Sequence, residues 1–236
     1  MSDRSERVAL VTGGNRGLGH ATALALADAG MTVIVSARRL DQAEAAIAAA
    51  GRTDGRLVPA QLDVRDDEQV AELFAWIDDR FGRLDVLVNN AGIIPERAGA
   101  TALEVPPAQV AEAFDVNTLG PYRTCQLALP RMNRAGYGRI INVSSGMGAL
   151  MDMGGGTPAY RISKTALHAV TVQFHLLAAA GVKVNAVCPG WVRTELGGPH
   201  ATRSIPEGIA GVVWAATLAA DGPSGGLFRD GERLAW

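Results

Sequence analysis

Short runs of apolar, mostly β-branched residues alternate along the chain with longer alanine-rich segments of helical periodicity. Because the short runs are apolar on both faces, they are typical of strands in a parallel sheet that helices cover on both sides. The predicted strands are Val8–Thr12, Val33–Ser36, Leu57–Leu62, Val86–Asn89, Ile140–Val143 and Val182–Val187. The predicted helices are Leu18–Ala29, Asp41–Ala50, Asp66–Phe81, Pro107–Met132, Tyr160–Ala180 and Pro206–Ala219. We therefore expect an α/β fold with a doubly wound parallel β-sheet.

Glycines follow four of the predicted helices, at Gly30, Gly51, Gly82 and Gly181. Glycine adopts the left-handed backbone conformation without a steric penalty, so all four are predicted to be C-terminal caps. No linker-like segment or internal repeat divides the chain, so we expect a single domain over residues 1–236.

The composition excludes several classes of protein. The chain has 236 residues, 48% of them hydrophobic, which is enough to bury a large core. A formal net charge of -2 provides no basic surface, so neither a nucleic-acid nor a membrane partner is expected. The four histidines and two cysteines lack the spacing of a metal site. So few cysteines, after a polar and charged start to the chain, predict a cytoplasmic protein without a signal peptide.

Lysine is rare in this chain. Only two of its 22 basic residues are lysines, Lys164 and Lys183. A lysine retained in so arginine-rich a sequence suggests a position where a compact ammonium is required, since arginine replaces lysine wherever either side chain serves.

A glycine-rich turn, Thr12–Gly19, joins the first predicted strand to the first predicted helix. Such a turn brings backbone N–H groups and a helix N-terminus close to a pyrophosphate without clashes from Cβ atoms. A tight turn without any ligand is the alternative. Its position after the first strand of a βαβ unit favours a dinucleotide site.

The end of the second predicted strand bears on the type of nicotinamide cofactor. An acidic residue there would bind the ribose 2′-hydroxyl of NAD, but this strand ends in Arg38 and Arg39. A guanidinium pairs with a 2′-phosphate, and Arg16 in the glycine turn could approach the same group. The alternative is a solvated pair of arginines. NADP(H) is the predicted cofactor.

Candidate catalytic residues lie at the carboxyl ends of the later strands. Tyr160 and Lys164 are four residues apart, so on a helix they share one face. A phenol has an unperturbed pKa of about 10, and an ammonium about 4 Å away contributes about 4 kcal/mol at an effective dielectric near 20. We therefore expect Lys164 to bring the pKa of Tyr160 close to neutrality. Ser144 and Ser145 close the fifth strand, and only one of these neighbours can face the crevice.

The ordered set of motifs resembles the short-chain dehydrogenase/reductase family over essentially the whole chain. The resemblance rests on the turn Thr12–Gly19, Asp63, Asn89–Gly92, Asn117, Ser145, Tyr160-x-x-x-Lys164 and Pro189-Gly190. The pairs Asn15-Arg16 and Ala37-Arg38 further resemble its NADPH-dependent carbonyl reductase branch. The resemblance implies a single-domain Rossmann fold.

The resemblance also implies roles for individual residues. The implied catalytic residues are Tyr160 as general acid/base, Lys164, which also binds the nicotinamide ribose, Ser145, which holds the carbonyl oxygen, and Asn117, which carries a water. For Asn117, an ordinary polar position on an exposed helical face is the alternative. The implied cofactor contacts are Gly13, Asn15, Arg16, Gly17, Leu18, Gly19, Arg38, Asp63, Val64, Asn90, Tyr160, Lys164, Pro189, Val192 and Thr194. Trp191, between two of them, is expected to pack.

The segment before Tyr160 bears on the substrate. Met147, Met151 and Met153 lie there with a triple glycine, which indicates an adaptable apolar surface over the cleft, core packing being the alternative. We expect an NADPH-dependent reductase of a ketone or aldehyde with an apolar or aromatic body, reversible in principle. An NAD-dependent alcohol dehydrogenase acting oxidatively and a non-catalytic dinucleotide-sensing regulator are the alternatives. For the oligomeric state, both a monomer and a homo-oligomer are compatible with the sequence.

Overall fold

One eight-stranded sheet runs through the part of the chain that the computed structural model describes, residues 7–52 and 54–236. Its strands, numbered along the chain, are β1 Val8–Val11, β2 Thr32–Ala37, β3 Leu57–Gln61, β4 Val86–Asn89, β5 Gly138–Val143, β6 Val182–Val187, β7 Leu227–Arg229 and β8 Glu232–Leu234. Their order across the sheet is β3-β2-β1-β4-β5-β6-β7-β8, parallel except for the antiparallel β8. The expected doubly wound sheet is confirmed, and residues 1–6, where a signal peptide would begin, lie outside the described residues.

Helices cover both faces of the sheet. They are α1 Gly17–Asp28, α2 Leu40–Ala49, α3 Asp67–Phe81, α4 Pro107–Phe114, α5 Gly120–Ala135, α6 Pro158–Leu176 and α7 Ile205–Ala216. One core cluster joins the sheet to α1 and α7, and a second joins it to α3, α5 and α6. The strand order reverses between β1 and β4, so the ligand crevice of such a sheet opens at the carboxyl ends of these two strands.

The helix predicted over Pro107–Met132 is interrupted by a π-helical turn, Asp115–Leu119, between α4 and α5. Such a turn holds an extra residue in the helix and is common at functional sites. Periodicity over so long a segment does not reveal one extra residue, which is why the prediction missed it. Asn117 lies in this turn and is completely buried, so the exposed-face alternative for it is wrong.

The end of α6 and the last two strands also differ from the prediction. The helix ends at Leu176, so Gly181 is not its cap. Gly181 instead permits a close backbone approach, because a Cβ atom there would lie 2.0 Å from the carbonyl oxygen of Gly136. The strands β7 and β8 were not predicted, since three residues each are too short to show a period.

No helix among the described residues is long and apolar enough to cross a bilayer. The same residues contain no group of three or more His, Cys, Asp or Glu side chains that could hold a metal ion.

Candidate active site

The glycine turn between β1 and α1 is held in place by Asn90, which follows β4. Its Nδ2 donates hydrogen bonds to the carbonyl oxygens of Thr12 and Gly13, at 2.9 and 3.0 Å. A Cβ atom at Gly19 would lie 2.3 Å from this Nδ2, so only glycine fits there. Gly13 and Gly17 have φ angles of 61° and 54°, in the region that favours glycine. Asn90 therefore shapes the turn, and its contact with a ribose stays a prediction.

The N-terminus of α1 suits an anion. Its first turn carries no acidic residue, and the N–H groups there lack intrahelical partners. Asn15 and Leu18 are half-buried beside it, and Arg16 is exposed and forms an ion pair with Glu195. The turn and the segment after β6 thus meet at the place where the sequence predicts a pyrophosphate.

The predicted site residues in the segment after β6 differ in their exposure. Val192 is buried, and the Cβ of Thr194 lies 3.7 Å from the Cβ position of Gly17. Pro189 is half-buried at the start of the segment. Trp191 is 54% exposed and donates from Nε1 to the carbonyl oxygen of Gly197, so it packs only partly against the rest of the protein.

The two arginines at the end of β2 differ in their partners. Arg39 binds the carboxylate of Asp41, whereas Arg38 is exposed and has no hydrogen bond with another described side chain. Asp63, after β3, is bound by Arg65, whose hydrogen bond lowers the pKa of that carboxyl. Val64 is buried. The adenine contacts predicted for Asp63 and Val64 stay predictions.

The first turn of α6 brings the candidate catalytic groups together. Tyr160 is 9% exposed, and Lys164, one turn further, is 4% exposed and donates from Nζ to the carbonyl oxygen of Val143 at 2.8 Å. Ser145 hydrogen-bonds to Tyr160 and accepts a hydrogen bond from the backbone N of Met147. Ser144 is buried instead against His168, with Oγ 2.8 Å from Nε2. Ser145 is therefore the serine that meets Tyr160.

The pKa of Tyr160 departs from the expectation. Burial raises it to about 12, and the hydrogen bond to Ser145 only partly opposes that effect. The expected lowering towards neutrality is wrong in this geometry, because the low-dielectric surroundings penalise a phenolate more than the hydrogen bond to Ser145 stabilises it. Lys164 is itself destabilised as a cation, since burial lowers its pKa to about 8. The phenol is thus protonated at neutral pH and can act as a proton donor.

Asn117 is fixed by hydrogen bonds to the loop after β4. Its Oδ1 accepts from the N of Ile93 at 2.8 Å, and its Nδ2 donates to the O of Ile93 and to Oγ of Ser163, both at 2.9 Å. Both donor hydrogens are used, so its side chain can hold a water only through the second lone pair of Oδ1. A Cβ atom at Gly92 would lie 3.2 Å from this Oδ1 and 3.7 Å from Nζ of Lys164.

The methionines before Tyr160 are mostly outside the core. Met151 and Met153 are exposed and Met147 is half-buried, in a segment with two short 3₁₀ turns, Gly146–Gly148 and Leu150–Asp152. Core packing is therefore the wrong explanation for Met151 and Met153.

The individual contacts of three residues near the site were not identified from the sequence, although the C-terminal segment from Gly226 to Trp236 is expected to pack near the site or an interface. Arg229 on β7 donates to Sγ of Cys188 at 3.1 Å, and Trp236 packs on His168 with ring centroids 5.2 Å apart. Glu96 accepts a hydrogen bond from the backbone N of Tyr160. No local pattern marks these residues, because they reach the site from distant parts of the chain.

Comparisons with known proteins bear on the family to which this chain belongs. The model of the short chain dehydrogenase family matches residues 7–203. The cis-4-hydroxycyclohexanecarboxylate dehydrogenase of Sinomonas cyclohexanicum is 36% identical, over 97% of this chain and 86% of the relative.

Two solved carbonyl reductases have similar structures, each at 28% identity. The carbonyl reductase Sniffer of D. melanogaster gives a TM-score of 0.87 and covers 98% of this chain and 99% of its own. The NADPH-bound carbonyl reductase from chicken fatty liver gives 0.85 and covers 98% and 94%. With a family match over most of its length and the same fold throughout, this chain belongs to the short-chain dehydrogenase family, as the resemblance indicated.

Proposed function

We propose that this protein is an NADPH-dependent reductase that transfers hydride to the carbonyl carbon of a ketone or aldehyde. The observation that carries the proposal is the cluster in which half-buried Ser145 forms a hydrogen bond with the buried, protonated phenol of Tyr160, and buried Lys164 lies one turn away. Such a cluster provides a proton donor, a group that holds an oxygen and a nearby cation.

The cofactor proposal rests on the glycine turn and on the end of β2. The close-packed turn and the N-terminus of α1 suit a pyrophosphate, and Arg38 suits a 2′-phosphate, with no carboxylate at the tip of β2 to repel it. The similarity to an NADPH-bound carbonyl reductase supports the same choice. When bound, NADPH supplies the hydride that forms the new C–H bond.

The residues of this chain supply the proton and orient the carbonyl. The Ser145 hydroxyl holds the carbonyl oxygen, and the O–H bond of Tyr160 breaks as its proton moves to that oxygen. The carbonyl is reduced to an alcohol, and Tyr160 is left as a phenolate that Ser145 and Lys164 stabilise. Asn117 fixes the π-helical turn beside Lys164, in line with a role in returning the proton to Tyr160.

The exposed Met151 and Met153 support a substrate with an apolar or aromatic body, because flexible thioether side chains adapt to apolar surfaces. Ketones matched in reactivity but differing in apolar size test this point. We expect a higher kcat/KM for the bulkier ones, and equal values for small polar and bulky apolar ketones would contradict it.

Turnover with each cofactor tests the function as a whole. We expect ketone-dependent oxidation of NADPH, a lower KM for NADPH than for NADH, and a loss of about 10² to 10⁴ in kcat in Tyr160→Phe. Tyr122→Phe is the control, since the Tyr122 side chain is exposed on α5. A preference for NAD with alcohols would favour the alternative of an NAD-dependent alcohol dehydrogenase. The similarity to a hydroxycyclohexanecarboxylate dehydrogenase is the reason to test it. Cofactor binding without any turnover would favour the dinucleotide-sensing regulator.

A further inference from the structure

Glu96 is a buried acidic residue whose carboxylate contacts the backbone of the candidate proton donor, Tyr160. It lies in the loop after β4 and is only 5% exposed. Its Oε1 accepts a hydrogen bond of 2.8 Å from the backbone N of Tyr160, the residue whose phenol is the candidate acid.

The start of α6 explains why an acceptor is required here. Thr157 precedes the helix with a φ of 47°, and its side chain forms no capping hydrogen bond. Pro158 has no N–H group to be satisfied, and the next free donors belong to Ala159 and Tyr160. Glu96 thus accepts the hydrogen bond of the Tyr160 N–H group from a different loop. In most helices a capping residue next to the helix start accepts such a bond.

Capping alone does not explain the charge of Glu96. A glutamine would offer the same acceptor without a buried charge, which is costly unless it is paired. Oε2 of Glu96 is buried and has no hydrogen-bond partner among the described residues.

The arginines that flank Glu96 along the chain and at the start of α6 bind elsewhere. Arg97 pairs with Glu104 at the surface. Arg161 donates to the carbonyl oxygens of Gly156 and Met147, at 2.8 and 3.3 Å. The positive end that contacts the Glu96 carboxylate is therefore the N-terminus of α6, which is also where Tyr160 lies.

We propose that Glu96 is a positioning residue for Tyr160, and that its carboxylate contributes to keeping the phenol in the proton-donating form. The proposal rests on the reductase function proposed above. The hydrogen bond to the backbone fixes the place of Tyr160 in the first turn of α6, and the carboxylate disfavours a second negative charge beside it.

The other groups that face Tyr160 come from its own helix and from two further segments. They are Lys164 on α6, Ser145 after β5 and Cys188 after β6. Burial raises the pKa of Tyr160 most, the hydrogen bond to Ser145 lowers it, and Cys188 and Glu96 raise it further. Removing the charge of Glu96 should therefore lower the pKa of Tyr160. The decrease should be smaller than the full difference between that pKa and the ordinary value of a tyrosine.

Glu96→Gln tests the charge while preserving the acceptor. The ultraviolet difference absorbance of the phenolate is titrated in the intact protein, with Tyr160→Phe subtracted so that Tyr122 and Tyr137 do not contribute. We expect the Tyr160 phenolate to form at a lower pH in Glu96→Gln than in the wild type, by less than about one unit. The pH profile of alcohol oxidation should move in the same direction by a similar amount. Glu104→Gln, an exposed carboxylate further along the same loop, should titrate as the wild type.

Glu96→Asp tests the positioning. It keeps the charge but shortens the reach to the backbone N of Tyr160, so we expect a reduced kcat with a phenolate titration close to that of the wild type. Wild-type kcat in Glu96→Asp would overturn the positioning role, and this test does not need Glu96→Gln to fold. An unchanged titration in folded Glu96→Gln would overturn the role of the charge.

The titration requires neither substrate nor cofactor, so the two proposals can fail separately. Absence of ketone reduction with the expected titration would contradict the proposed function alone. Normal ketone reduction with wild-type titration in Glu96→Gln would contradict the role of Glu96 alone.

Discussion

The Nζ atom of Lys164 lies 5.6 Å from the centroid of the Tyr160 ring, one helical turn further along α6. Lys164 is almost completely buried, and a hydrogen bond to the carbonyl oxygen of Val143 ties it to the end of β5. The ammonium is thus held in a fixed position beside the phenol by two different elements.

Lys164→Arg should lower kcat for ketone reduction by at least about a hundredfold. The larger, planar guanidinium does not fit the space of the ammonium and spreads its charge away from the phenol. Initial rates of NADPH oxidation measure the effect, with thermal melting to verify folding. Lys183→Arg is the matched control, because Lys183 lies on β6 and is half-exposed. An active Lys164→Arg enzyme would contradict the requirement for an ammonium.

The two directions of the reaction should respond oppositely to pH. Alcohol oxidation needs the phenolate of Tyr160, whose pKa is raised to about 12, so its rate should increase about tenfold per pH unit through the alkaline range. Ketone reduction needs the protonated phenol and should be nearly constant around neutrality. It should decline above about pH 8, where Lys164 loses its proton. Initial rates from about pH 6 to about pH 10 check both. An oxidation rate that levels off near neutrality would show that the phenol ionises much more easily than its burial implies.

Arg38→Ala should raise the KM for NADPH by about tenfold to a hundredfold, which corresponds to the loss of about 1.5–3 kcal/mol from a charge-assisted hydrogen bond. The KM for NADH should stay unchanged, because NADH has no 2′-phosphate. Arg39→Ala is the control, since Arg39 is already bound to Asp41. Equal effects on both cofactors would indicate a role of Arg38 outside phosphate recognition.

His168 should make the fold less stable in acid. Its pKa is lowered from 6.5 to about 4, mainly by burial and then by the positive charge of Lys164. Between these values the unfolded chain binds a proton that the folded chain excludes, so stability falls as the pH falls from about 6.5 to about 4. The loss should reach about 3 kcal/mol.

Denaturant unfolding of His168→Gln at several pH values measures this contribution. The free energy of unfolding should depend less steeply on pH in His168→Gln than in the wild type. His200→Gln, at an exposed position, should keep the wild-type slope. The same slope in His168→Gln would assign the acid sensitivity to other groups.

The sequence alone determined the parts of the site whose signals are local. The glycine turn is recognisable because its residues are contiguous between a strand and a helix. Tyr160 and Lys164 are recognisable because residues four apart share a helical face. The alternation of strands and helices predicted the parallel sheet for the same reason, although the short strands β7 and β8 carry too few residues to show a period.

The groups that surround these residues, and the effects of those groups on them, follow from the tertiary structure. It directs Ser144 to His168 and Ser145 to Tyr160, and it brings Glu96 to the first turn of α6. It also reversed the expected direction of the Tyr160 pKa. Spacing along a helix predicts that an ammonium is near a phenol, but the penalty for an ion depends on burial, which arises from the whole fold.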